Sequence, residues 1–96
     1  MVFDLSKVTG IGVYQEKPEK SRTLYLKNDK AFLIVNKNTI EVRTDGELKK
    51  LLTDKYASVM ESRFFGRGGI EVVLVGEQLK TDELNDLVRL SYNLTD

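Results

Sequence analysis

The stretch from Thr23 to Arg43, TLYLKNDKAFLIVNKNTIEVR, constrains this chain more than any other. Three runs of strand-forming residues are separated by Asn28-Asp29 and by Asn36-Lys37-Asn38, residue types whose short polar side chains favour tight turns. Lys30 to Val35 is apolar and too short for a helix, so it reads as a buried strand. Thr39 to Arg43 alternates with period two, which sends Ile40 and Val42 to one side of a sheet. An antiparallel meander results.

Thr44-Asp45-Gly46-Glu47 has the form of a capping box, in which Thr44 and Glu47 satisfy the free amides of a helix start. The helix that follows is predicted to bury Leu48, Leu51, Leu52, Tyr56 and Val59, with Lys49, Lys50, Asp54 and Lys55 turned away. Thr81 is predicted to cap a second helix with Asp82 and Glu83 in its first turn, where the helix dipole favours acids. Leu84, Leu87, Val88 and Ser91 line one face of it. Ser91 is assigned a packing role, either admitting a close backbone or bonding back to a carbonyl one turn earlier. Upstream, Gly10 to Tyr14 reads as a short first strand, followed by a charged loop from Gln15 to Lys20.

Between the helices lies SRFFGRGGIEVV, Ser62 to Val73. Ile70 onward alternates as a strand, Ser62 to Phe65 is read as its antiparallel partner, and the glycines at 66 to 69 as the turn. That register places Phe65 with Ile70, Val72 and Leu74 on the core face. Phe64, Val73 and Val75 then share the opposite face, which two helices on one side of the sheet leave without an intrachain cover.

With 96 residues and no cysteine or histidine, the chain supports one small domain over 1–96, and it lacks the usual ligands for zinc, copper or iron. No metal and no cofactor is expected. Fifteen basic residues balance fifteen acidic ones, so no global field draws the protein to nucleic acid or to a membrane. Locally, Lys17 to Lys50 carries nine basic against five acidic residues. No apolar run approaches the ~20 residues of a membrane span, and no signal segment is evident, so a cytoplasmic location is expected.

In order, the strand-turn-strand LYLKNDKAFLIV, the capped helix DGELKKLLTDKY, a hairpin and the closing helix DELNDLVRLSYNL resemble the MmcQ/YjbR family of small α+β proteins. The closing helix carries the most specific likeness, at Asp82, Glu83, Leu84, Leu87, Ser91, Tyr92 and Leu94. Arg67 matches a basic residue common in the family's hairpin turn, and Ile70 stands where those proteins carry tryptophan. The resemblance implies a two-layer α+β fold: an antiparallel sheet of meander plus hairpin, with both helices packed on one face. Such proteins are similar to secretion chaperones and are also described as a double-wing DNA-binding architecture, and their biochemical activity is largely unassigned.

Two functional readings stay open. In one, the hairpin is a wing that binds nucleic acid, with Arg63, Phe64 and Arg67 at its tip and Arg22, Lys27, Lys30, Arg43, Lys49 and Lys50 as phosphate contacts. The plainer account of the same residues is a glycine turn with a charged tip. In the other reading, Phe64, Val73 and Val75 form an interface for a protein partner or a second copy of the chain. Catalysis is not expected: no nucleophile has a base beside it, and no phosphate-binding glycine loop is present. Glu41 and Glu71 meet as a carboxylate pair only if their strands are neighbours sharing a face; otherwise they are exposed strand charges, the reading adopted.

Overall fold

The computed structural model describes residues 3–76 and 78–95. Six antiparallel strands, β1 (Gln15–Pro18), β2 (Thr23–Lys27), β3 (Lys30–Val35), β4 (Thr39–Arg43), β5 (Val59–Ser62) and β6 (Gly66–Val73), form one sheet in the order β1-β2-β3-β4-β6-β5. Helix α1 (Gly46–Lys55) lies against β5 and β6, and α2 (Thr81–Leu94) against β3 and β4. Both sit on the same face, giving the expected two-layer α+β architecture, with six strands where the meander and hairpin alone suggest fewer.

Asn28 and Asp29 both adopt positive φ, 51° and 66°, as a two-residue hairpin turn of the mirror-image type requires. The core beneath the helices gathers Leu33, Val35, Ile40, Val42, Ile70 and Val72 from the sheet with Leu52, Leu84, Leu87 and Val88 from the helices. Phe3, Leu5 and Val8, around a 3₁₀ turn at Leu5–Lys7, complete it.

Four local expectations are corrected. Lys80, not Thr81, stands at the N-cap of α2, its amide donating to Glu83. The first strand is Gln15–Pro18, whereas Gly10 to Tyr14 is not a strand and lies against α2. Arg89 donates to the Thr9 carbonyl, the Tyr92 hydroxyl donates to the Val13 carbonyl, and a Cβ on Gly12 would stand 2.8 Å from that hydroxyl. Those glycines serve a close approach to a helix, which hydrophobic alternation cannot distinguish from strand pairing. Asp45, not Thr44, caps α1, its carboxylate accepting from the Leu48 amide at 2.8 Å. Leu51 is 61% exposed, because only Leu52 and, partly, Leu48 of this short helix reach the sheet; Val59 belongs to β5.

Ser91 does more than admit a neighbour. Register between β2 and β3 slips at Phe32, where Leu26 opposes Ala31 and Tyr25 opposes Leu33, and this bulge turns both Phe32 and Leu33 into the core. The Ser91 hydroxyl donates to the Phe32 carbonyl at 2.5 Å and accepts from the Arg43 amide at 2.8 Å. It thereby satisfies two backbone groups beside the interrupted ladder, one on β3 and one on β4. Replacing Ser91 with Ala orphans both, at about 1–3 kcal/mol for each, and a lowered urea midpoint with an unchanged slope is the expected readout.

Candidate binding site on the helix-free sheet face

The opposite face of the sheet is covered in its middle by the chain itself. Arg63 to Phe65 forms the β5–β6 connection, and the glycines read as the turn belong to β6, which begins at Gly66. Pairing passes from Glu61 opposite Ile70 to Ser62 opposite Gly66, which leaves Arg67 to Gly69 as a bulge on the β6 side, and the connection folds over the sheet with Phe65 against Leu24, Ala31 and Ile34. Gly66 has φ of 61°, a left-handed conformation that a Cβ would oppose. At Gly69 the constraint is space: an added Cβ would lie 2.4 Å from the Val42 carbonyl oxygen and 2.7 Å from Phe65 Cβ.

The assignment of Phe65 is reversed by this fold-back, whereas Phe64 lies on the expected helix-free face. Phe65 packs with Leu24, Leu26, Ala31 and Ile34 on the helix-free face, not with Ile70 and Val72. Its ring stands edge to face with that of Phe64, centroids 5.0 Å apart, so the two adjacent rings lie together rather than on opposite sides. A connection with no β pairing of its own is free of the alternation that separates neighbouring side chains in a strand.

Two buried carboxylates hold the connection down. Glu41 on β4 and Glu71 on β6 are register partners and therefore neighbours on one face, and they are 1% and 3% exposed; the reading of exposed strand charges is overturned. Glu41 Oε1 accepts from the Ser62 hydroxyl at 2.8 Å and the Phe64 amide at 2.9 Å, and its Oε2 accepts from Asn36 Nδ2 at 2.9 Å. Arg63 grips Glu71 bidentately, Nε and a terminal nitrogen reaching its two oxygens at 2.9 and 2.8 Å, while the Thr39 hydroxyl also donates to Glu71. Burial by itself would push the Glu41 carboxyl up, but the donors Asn36, Phe64 N–H and Ser62, together with the Arg63 charge, hold it below its ordinary value of 4.5. The hydrogen bonds and charge of Glu71 raise the already high Arg63 pKa.

A cleft of about 520 Å³ opens beside this network. Glu41, Arg63, Phe64 and Asn36 form its inner wall, and Glu19, Lys20, Ser21 and Arg22, from the β1–β2 connection, its outer one. Arg22 pairs with Glu19 through Nε at 2.8 Å, and its guanidinium carbon lies 5.4 Å from the centroid of the Phe64 ring.

The candidate phosphate contacts do not converge. Arg63 and Arg22 meet at this cleft, each already in an ion pair. Arg43 donates to the Ala31 carbonyl beneath Phe65. Lys27 donates to the Tyr92 carbonyl, and Lys49 pairs with Glu61 and reaches the Gly66 and Arg67 carbonyls. The side chains of Lys30, Lys50 and Arg67 have no hydrogen-bond or ion-pair partner among the described residues. Of the interface candidates, Phe64 is 42% exposed and Val73 half-buried on the helix-free face, whereas Val75 lies in a turn beyond β6. Met60, opposite Glu71 on β5 and 44% exposed, belongs to that face and was not anticipated; nor were Glu19, Lys20 and Asn36. Strand alternation, once the correct pairing is known, identifies Met60. The outer wall carries no local signal.

Among the described residues no cluster of three or more acidic side chains is placed to hold a metal ion, and no helix is long and apolar enough to cross a membrane. Compared with protein-family models, curated proteins and solved structures, the chain matches none of them.

Two measurements test the clamp. Folding lowers the Glu41 pKa, so between its folded value and 4.5 the folded state binds fewer protons than the unfolded one. The stability Glu41 contributes is complete above 4.5 and is lost as pH falls through the folded value. Urea midpoints taken from neutral to acid pH are expected to decline over that window, with a shallower decline in Glu41→Gln. Gly69→Ala is expected to cost about 1–3 kcal/mol by overpacking and to displace Phe65, seen as altered ring-current shifts of Leu24 and Ile34 methyl groups.

Proposed function

We propose that this protein is a non-catalytic protein-interaction module whose contact surface is the helix-free sheet face around Phe64, Met60 and Val73. The observation that carries this reading is the fold-back of the β5–β6 connection, which exposes part of the Phe64 ring beside Arg22, in a cleft that Arg63 also lines, without projecting a basic wing. An aromatic ring flanked by arginine, with further apolar side chains on the same face, has the composition of a protein-binding hot spot. The nucleic-acid reading has less support, because three of its proposed phosphate contacts, Lys27, Arg43 and Lys49, are held in intramolecular hydrogen bonds away from the cleft and the chain has no net charge. Catalysis by Glu41 and Glu71 is likewise disfavoured, since both carboxylates already accept several hydrogen bonds.

The MmcQ/YjbR kinship is part of the proposal. It draws support from the closing helix, where Leu84, Leu87, Ser91 and Tyr92 are all buried.

The test is photocrosslinking in cell extract with Met60→benzoylphenylalanine, and with Leu51→benzoylphenylalanine as a control on the helical layer. Discrete adducts from position 60 that resist nuclease, are removed by protease and are absent from position 51 are expected, whether the partner is another protein or a second copy. Nuclease-sensitive adducts, or equal labelling at both positions, would overturn the proposal.

A further inference from the structure

The cleft beside Phe64 offers several unused hydrogen-bond donors on its basic side chains. Arg22 commits only Nε to Glu19, so its two terminal nitrogens have no protein partner among the described residues. Arg63 commits Nε and one terminal nitrogen to Glu71, leaving the other terminal nitrogen unused on a side chain that is 74% exposed. Lys20 adds an ammonium from the outer wall. Among acceptors, Glu41 already receives three hydrogen bonds. A group able to satisfy several such donors at once is an oxyanion, and guanidinium forks hold carboxylates in a planar, bidentate manner.

We infer that this cleft receives the side-chain carboxylate of an aspartate or glutamate in a partner polypeptide, with an adjacent apolar residue of that partner seated on Phe64. The inference deepens the interaction-module reading and rests on it. The unused donors favour a carboxylate, and the charge balance limits it to one. Lys20, Arg22 and Arg63 face Glu19 and Glu41 within the cleft, and Glu71 lies under Arg63, so the formal charges cancel. One carboxylate binds to the free donor edges, whereas a polyphosphate chain would meet three carboxylates. Nor does a basic track lead onward from the cleft, because Lys27, Arg43 and Lys49 are held elsewhere. The Phe64 ring lies beside the Arg22 guanidinium, so an acidic residue and its apolar neighbour are accommodated side by side.

The experiment uses the ¹⁵N-labelled full chain at physiological salt, titrated separately with N-acetyl-Glu-Phe-amide, N-acetyl-Gln-Phe-amide and a short oligothymidylate. The Arg22 and Arg63 Nε–H resonances and the Phe64 backbone amide report binding. Saturable shifts with the glutamate dipeptide are expected, with affinity about tenfold weaker for the glutamine analogue. Arg22→Gln is expected to abolish the difference; Arg22 is a rim residue outside the buried network. Equal responses to the two dipeptides overturn the inference, as does no response to the glutamate dipeptide up to about 20 mM, or tighter binding of oligothymidylate. Protein adducts at position 60 without a dipeptide response remove this inference alone, whereas nuclease-sensitive adducts remove the interaction-module reading as well.

Discussion

Two carboxylates buried side by side on adjacent strands are an arrangement that nothing about a β-sheet favours. Like charges directly across a register position repel, and a buried carboxylate without partners is costly enough to abandon its charge. Glu41 and Glu71 remain viable because six hydrogen bonds converge on them, four of which come from Ser62, Arg63 and Phe64. The dependence is mutual. Without those donors the carboxylates would be buried unpaired, and without the carboxylates the β5–β6 connection has little reason to lie flat. The exposure of Phe64, the cover that Phe65 gives Leu24 and Ile34, and the inner wall of the cleft all follow from this one exchange of hydrogen bonds.

The same economy governs the basic residues. A neutral chain rich in lysine and arginine invites a search for a charged stripe, yet much of this charge is used within the fold. Lys27 closes the carbonyl end of α2 at Tyr92 and lies over its ring, Lys49 ties α1 to β5 and to the start of β6, and Arg43 bridges β4 to the Ala31 carbonyl. These contacts bind the helical layer and the folded-back connection to the sheet. They also leave Arg22 and Arg63, whose guanidinium groups are only partly committed, as the arginines that face a common cleft.

Local periodicity made the meander from β2 to β4 legible, together with the apolar face of α2. Those features follow from residues whose partners are near in sequence or whose pattern repeats. Most of the errors share a cause: they involve residues whose role is set by something distant. Gly12 answers to Tyr92, Gly69 to the Val42 carbonyl on the neighbouring strand, and Glu41 to a loop some twenty residues onward. Asp45 prevailed over Thr44 as the cap of α1 within a segment where either side chain has suitable chemistry. The candidate site was legible only in fragments: Arg22, Arg63 and Phe64 stood among many basic and aromatic candidates, and their meeting depends on a fold-back whose controlling interaction is a buried charge. Composition gives such a charge no signature, since an acidic residue alternating with valines looks the same whether it faces water or not.

Ser91 gives the closing helix a property that its apolar residues do not. A helix seated by leucine and valine alone can slide by a turn along a sheet and still bury a comparable stripe. Here the hydroxyl must meet the Phe32 carbonyl and the Arg43 amide together, and a displacement of one turn would bring Leu87 or Thr95 to that point. Leucine bonds to neither group, and Thr95 lies past the end of the helix, its own hydroxyl donating to the Ser91 carbonyl. The axial position of α2 is thus indexed to a single notch in the sheet, and a bulge that interrupts one ladder becomes the reference mark that aligns the two layers.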